Sequence, residues 1–372
     1  MQRSGCQSSE PEVNAVNNVS RYYQGKRALV TGGLGFIGSN LAIRLAELGA
    51  RVTVIDSSVP GCGADEANLK PVRDLVTVLH RDIADSLALE NHIRTADLIF
   101  NLAGEVSHIH SMKWPSRDAE LNAWAQLRFL EHCARLRPGL RIVYAGTRQV
   151  YGRPRYLPVD ENHPFCPSDF NGIHKAAAIQ YHLLYAELGK LDAVVLNLTN
   201  VYGPRMALWE PCQGFLGVFL RRMLQRQQLQ IFGDGSQLRD PLYVDDAVDA
   251  FLAAGAAPQL PSRLYNLGGP EALSLQQIAE TCSRLAGGPP PALRPFPPDH
   301  KQIDIGSYRA DWTRIRTELG WQPRTLFSEG ISRALLFYQA EPRYHLRLGD
   351  AGPTCGVRDE LQDPLNLRRA AS

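Results

Sequence analysis

Nothing in this chain approaches the roughly 20 consecutive apolar residues that a bilayer-spanning helix requires, and its first 25 residues are polar where a secretory leader would carry an apolar stretch. Neither a membrane-embedded nor an exported protein is expected. Charge of one sign is also lacking: 40 basic residues against 38 acidic ones give a formal net charge of +2, with the basic side chains dispersed. That excludes the electrostatic footprint of a binder of nucleic acid or anionic membrane, while leaving local basic groups for a phosphorylated small molecule. Cysteine is sparse and unpatterned. The seven, at 6, 62, 133, 166, 212, 282 and 355, form no C-x-x-C pair and have no histidine at zinc spacing, so no metal site is expected. An odd, scattered set implies reduced thiols and a cytoplasmic protein.

What is present is an ordinary globular composition, 44% hydrophobic and 21% charged over 372 residues, enough for one large or two intimately joined domains. From Arg27 the pattern is regular. "RALVTG" is a short apolar run ending in glycine, "FIGSNLAIRLAELGA" has helical periodicity, and "RVTVID" is a second buried-strand run. The rhythm continues through "LVTVLHRDI", a helix near 86–95, "DLIFNLAG", a helix over 117–136, "RIVYAGT", a helix over 171–189 and "DAVVLNLTNVYGP". Strands alternating with helices indicate a doubly wound parallel sheet, an α/β Rossmann domain over 26–203. Beyond Gly203 the rhythm loosens, and 204–340 reads as a smaller, mainly substrate-binding lobe of mixed α/β character, with a rigid proline linker at 287–298. Residues 1–25 and 341–372 read as flexible extensions.

The glycines of "TGGLGFIGS" fall at 32, 35 and 38, between a strand and a helix. Gly32 and Gly35 permit a tight turn and close approach to a pyrophosphate, and Gly38 permits close packing of helix on strand. Asp56 ends the next strand 18 residues after Gly38, near the spacing of a carboxylate that binds a ribose 2′-OH. It would repel a 2′-phosphate, so NAD is expected rather than NADP. Asp82, in "HRDIAD", follows the third strand and would reach the adenine, and "NLAG" at 101–104 would run beneath the cofactor.

With these residues goes a set of motifs in order: "TGGLGFIG", "RDIAD", "NLAG", "AGTRQVYG", "PVDENHP", "NGIHK", "LTNVYGPR", "GDGSQLRDPLYVDDAVDA", "YNLGG" and "RADWTRIRTELGWQP". The chain resembles the extended short-chain dehydrogenase/reductase superfamily, in its nucleotide-sugar epimerase and dehydratase branch, over residues 26–338. The resemblance implies cofactor contacts from Phe36 and Ile37 in the turn, from Ile83 beside Asp82, and from Leu102 and Ala103 in "NLAG". It also implies that Thr147 hydrogen-bonds the reacting sugar oxygen and that Lys175 holds the nicotinamide ribose. Asn200 and Arg239 match positions that contact the substrate diphosphate, and Lys301 stands where many relatives have a second phosphate-binding arginine.

One position departs from the pattern. Where the family has a catalytic tyrosine four residues before the lysine, this chain has Asn171. In a helix, residues 171 and 175 share a face, yet a carboxamide cannot take a proton near neutral pH. Three explanations stand. Another group supplies the base, with His174, Tyr151, Tyr156 and Cys166 as candidates, although His174 should point about 100° away from Lys175. The substrate already carries a carbonyl. Or the protein binds NAD and a sugar nucleotide with little turnover.

Relatives that eliminate water from the sugar carry an Asp-Glu pair after the Thr, whereas Arg148 and Gln149 stand here. A 4,6-dehydratase is therefore disfavoured, and Arg148 keeps a uronic-acid sugar open. The expected activity is NAD-dependent epimerisation of a nucleoside-diphosphate sugar through a transient ketone. The alternatives are dehydration, reduction or decarboxylation within the same superfamily, or catalytically degenerate NAD binding. Relatives commonly pair through two long helices, here those near 117–136 and 171–189. A homodimer is open, since the same apolar stripes would also pack on the sheet.

Overall fold

The computed structural model describes residues 19–210, 214–341 and 343–344. Its central layer is a sheet of seven strands: Arg27–Thr31 (β1), Arg51–Asp56 (β2), Val76–His80 (β3), Leu98–Asn101 (β4), Arg141–Thr147 (β5), Asp192–Leu198 (β6) and Leu264–Asn266 (β7). The order is β7-β6-β5-β4-β1-β2-β3, and every pairing is parallel. These are the apolar runs of the sequence. β4 is buried along its whole length and β6 at all but its first residue, as strands covered on both faces must be.

One face is covered by α1 (Phe36–Glu47) and the helix Val244–Ala256, whose Leu41, Leu45, Val248 and Phe251 share a core with β1 and β4. The other carries Ser86–Thr95 and Ala125–Leu136, whose Leu89, Ile93, Phe129 and Cys133 form a second core. The long helix Phe170–Glu187 packs beside them through Tyr181 and Tyr185. The helix expected over 117–136 is three contiguous pieces, with a π-helical turn, Glu120–Trp124, between Pro115–Ala119 and Ala125–Leu136. Strand order reverses at β1, which lies between β2 and β4. The crevice at the C-terminal ends of β1 and β4 is therefore where this architecture places ligands.

A further core joins the helices Phe215–Leu224, Leu275–Ala286 and Phe327–Ala340 through Phe219, Leu220, Ile278 and Ile331. It carries two-stranded pairs instead of a large sheet. The chain crosses the boundary placed at 203: Val244–Ala256 and β7 return to the main sheet, where Tyr265 pairs with Leu196. Within the proline-rich stretch, Ala292–Arg294 is a strand paired with Gln230–Phe232 and not simply linker, because the prolines of 289–291 end before the first residue that must donate to the ladder, Ala292.

Two expectations about the ends are corrected where they fall on described residues. Residues 19–23 are helical, and Tyr23 is fully buried, its hydroxyl donating to the Leu252 carbonyl at 2.7 Å. Near the other end Tyr344 is fully buried and Arg343 pairs with Asp65 at 3.1 Å. Residues 1–18 and 345–372 lie outside the described residues. Among those described, no helix is long and apolar enough to cross a membrane.

Candidate active site

A cleft of about 1120 Å³ opens along the C-terminal edge of the sheet, between it and the further core. Every expected site residue lines it except Lys301, which is exposed on the short helix Pro298–Gln302.

At the dinucleotide end the turn is built as its glycines require. Gly32 has φ +67°, and a Cβ there would lie 2.7 Å from the Leu102 carbonyl oxygen; one on Gly38 would lie 2.2 Å from the oxygen of Gly32. No side chain caps α1, so the N–H groups of its first turn are directed at the cleft without a side-chain partner, the arrangement that accepts a diphosphate. Asp56 braces the turn, accepting from Leu34 N–H at 3.1 Å and Ser58 N–H at 2.8 Å. Burial raises its pKa while those two donors oppose the rise. Each carboxylate oxygen keeps a second lone pair for a ribose hydroxyl. Asp82 accepts from Ala84 N–H at 2.9 Å, shaping the loop that carries Ile83 into the cleft.

Asn171 and Lys175 stand one turn apart on the long helix and both reach the cleft. The helix begins at Asp169, whose Oδ1 accepts from Gly172 N–H at 2.6 Å. Lys175 is buried, its Nζ lying so close to Gly104 that a Cβ there would be 2.5 Å away. Burial lowers its pKa to about 8, with Asp118 the first of the groups that oppose the shift. Asn171 is 2% exposed, and its Nδ2 donates to the Glu105 carbonyl and to Asp118 Oδ2, each at 3.0 Å.

None of the four groups considered as a replacement base lines this cleft. The His174 ring turns to Asp118, Nδ1 to Oδ1 at 2.7 Å, as its position around the helix predicts. Tyr151 is buried and donates to Asn266 Oδ1 at 2.7 Å, with burial pushing its pKa up to about 12. Tyr156 is exposed and bonded to Asp160, and Cys166 is exposed.

On the substrate side Thr147 ends β5, and its Oγ1 accepts from Gln149 N–H at 3.2 Å, leaving its own proton to donate elsewhere. Arg148 is 5.1 Å over the ring of Tyr308, and its buried Nη1 has no hydrogen-bond partner. Arg239 donates to the carbonyls of Gly306 at 2.5 Å and Leu238 at 2.7 Å. Its pKa is lowered to about 10 by burial and then by the charge of Arg148. Two guanidinium groups close together in one cavity favour an anion between or beside them. Asn200 Oδ1 is likewise buried without a partner, so its amide is uncommitted. Asp240, by contrast, is structural, accepting from Thr199 Oγ1 and from Ala310 N–H at 2.8 Å.

The sequence reading missed His108 and Asp169. His108 lines the cleft, its Nδ1 3.1 Å from Asp169 Oδ2, and Gln149 Nε2 donates to that same oxygen at 2.6 Å. Asp169 carried a local signal as the N-cap of the helix. His108 carried none. Among the described residues no cluster of His, Cys, Asp or Glu is arranged to hold a metal ion.

Comparison with known proteins agrees with this geometry. A family model described as the NAD dependent epimerase/dehydratase family matches residues 28–268. UDP-glucose 4-epimerase of Mycolicibacterium smegmatis is 34% identical over 317 residues, covering 84% of this chain and 98% of the relative. A dTDP-glucose 4,6-dehydratase of Streptomyces niveus is 30% identical over 324 residues, covering 84% and 93%. Among solved structures, UDP-glucose 4-epimerase of Thermotoga maritima with UDP-glucose aligns with a TM-score of 0.75 at 28% identity, covering 84% of this chain and 98% of that one. With the parallel sheet, the glycine turn and the residues that converge on one cleft, these matches identify the chain as a member of the NAD-dependent epimerase/dehydratase family.

Proposed function

We propose that this protein epimerises a nucleoside-diphosphate sugar through a transient ketone, with NAD as its redox partner. The observation that carries the reading is that a single cleft holds a dinucleotide turn, Thr147 and Lys175 at its centre, and uncommitted anion-binding groups at its far end. NAD fits the first part: the uncapped helix start suits its diphosphate, and Asp56 suits a ribose hydroxyl and opposes a 2′-phosphate. When bound, NAD supplies the reversible oxidation of a sugar hydroxyl to a ketone.

The side chains do the rest. Lys175 holds the nicotinamide ribose. Thr147 donates its free proton to the sugar oxygen and fixes its position. Arg239 and Asn200 hold the diphosphate, and Arg148, one residue from Thr147, favours a sugar that itself carries a carboxylate. Arg148 and Gln149 offer no acid and base for elimination, which sets epimerisation above dehydration. Free thiols at Cys62, Cys133, Cys166 and Cys282 are in keeping with a cytoplasmic location. Pairing of two copies through the helices that contain Trp124 and Leu184 is part of the same reading.

The test is to incubate the purified protein with NAD and a panel of UDP-, dTDP-, GDP- and CDP-sugars, neutral and uronic, and to resolve the products by NMR. An inverted stereocentre on at least one sugar is the expected outcome, with uronic sugars preferred. No product from any of them, alongside measurable NAD binding, would overturn the reading in favour of a non-catalytic NAD-binding protein.

A further inference from the structure

Epimerisation through a ketone needs a group that takes a proton from a sugar hydroxyl and returns it, and Asn171 cannot be that group. The need for a substitute rests on the epimerase reading. Several ionisable side chains in the cleft are already committed. Glu105 is buried between His110, 3.3 Å from its Oε1, and Arg117, 3.9 Å from its Oε2. The Cys62 thiol is pushed up to about 12 by burial. Lys175 lies against Gly104, in the segment that the proposed reading runs beneath the cofactor.

His108 differs. It opens the helix His108–Lys113, whose cap is fixed by Ser107 Oγ accepting from His110 N–H at 3.1 Å. Its Nδ1 is buried and lies 3.1 Å from Asp169 Oδ2, near enough for the carboxylate charge to act on it although the angle is not that of a hydrogen bond, while the side chain as a whole stays 35% exposed at the cleft surface. Asp169 is a rigid anchor, 3% exposed and tied to Gly172 N–H and Gln149 Nε2. Burial alone would raise its pKa, but His108 and those two donors outweigh the burial and hold the carboxyl below the usual range, so it stays ionised. A carboxylate at Nδ1 stabilises the tautomer protonated there, which leaves the lone pair on Nε2, across the ring from Asp169. Gln149, Thr147 and Asn171 line the same cleft, and Gln149 is tied to the same Asp169 oxygen that His108 faces.

We propose that His108, oriented by Asp169, is the catalytic base and acid of this site in place of the missing tyrosine. In the oxidative half, Nε2 takes the hydroxyl proton, the O–H bond breaks as C=O forms, and the carbon gives up its hydrogen with the bonding pair to the nicotinamide dinucleotide. In the return half, the carbon regains hydrogen and electron pair on the opposite face and the oxygen regains its proton from Nε2. The histidine ends neutral and the dinucleotide oxidised. The transient imidazolium faces Asp169, and Glu105, Lys175 and Arg148 are among the charged groups that line the same cleft.

Two measurements test this. His108→Gln should lower kcat on an accepted sugar nucleotide by ~100-fold or more, within the span expected of general base catalysis, while KM and the calorimetric Kd for NAD stay within about threefold. In the ¹⁵N-labelled wild-type protein without ligand, histidine NMR at neutral pH should find the His108 proton on Nδ1 and a bare Nε2. Turnover by His108→Gln within threefold of wild type, or a proton on Nε2, overturns the role of His108 and leaves the epimerase reading intact. A wild type that converts no sugar on the panel overturns both.

Discussion

Lys175 shows what burial does to a single charge. Below its folded-state pKa of about 8, Lys175 is protonated both in the folded protein and in the unfolded chain, where a lysine titrates near 10.4. Throughout that range the folded protein bears the whole cost of burying an ammonium group, about 3 kcal/mol. Between pH 8 and about 10.4 the unfolded chain holds more protons than the folded one, so stability rises with pH as the cost is relieved. Lys175→Met should therefore stabilise the ligand-free protein at pH 7 by up to about 3 kcal/mol in urea unfolding, with the gain fading to near zero above pH 10. If Lys175 holds the ribose as proposed, the same variant should bind NAD at least ~10-fold more weakly. A stability gain independent of pH would show that the effect is one of packing.

At the scale of one element, the helix Phe170–Glu187 explains Asn171. Its spacing to Lys175 was legible in the sequence because helical periodicity is local. What stands behind residue 171 was not legible: Glu105 and Asp118 come from segments 66 and 53 residues away. The carboxamide ties the helix to both and shares Asp118 with His174. Asn171→Tyr should remove those two bonds, lower stability by about 1–3 kcal/mol and slow turnover, as read from denaturant midpoints and kcat. Turnover faster than that of the parent would mean that the helix still awaits its tyrosine, and would count against His108 as the base. The stretch 287–298 gives the converse lesson. Its prolines argued against helix, correctly, yet the strand Ala292–Arg294 exists because Gln230–Phe232 offers it an edge.

At the scale of the molecule, the helix Ala125–Leu136 spends most of its apolar residues on the core, with Phe129, Leu130 and Cys133 fully buried, whereas Phe170–Glu187 buries only Ala178 and Ile179 of its own. Trp124, Ile173 and Leu184 stay open, at 59, 48 and 51% exposure, and large exposed apolar side chains on neighbouring helices suit a partner surface. Light scattering should give twice the 41.3 kDa chain mass, and the pair Trp124→Glu with Leu184→Glu should shift it to the monomer. A monomeric parent at micromolar concentration would rule the pairing out. The parallel sheet, the glycine turn, the acidic residue that ends β2 and the placing of Thr147 and Lys175 could all be read from the chain itself. Each depends on local periodicity, or on a backbone conformation that only glycine accepts without strain. The tertiary structure alone decided that Tyr23 and Tyr344 belong to the cores, that Leu264–Asn266 completes the sheet, that Lys301 and His174 do not line the cleft, and that His108 at its wall meets Asp169. Those are encounters between residues tens to hundreds of positions apart, and no local pattern encodes which distant side chain will fill a given space.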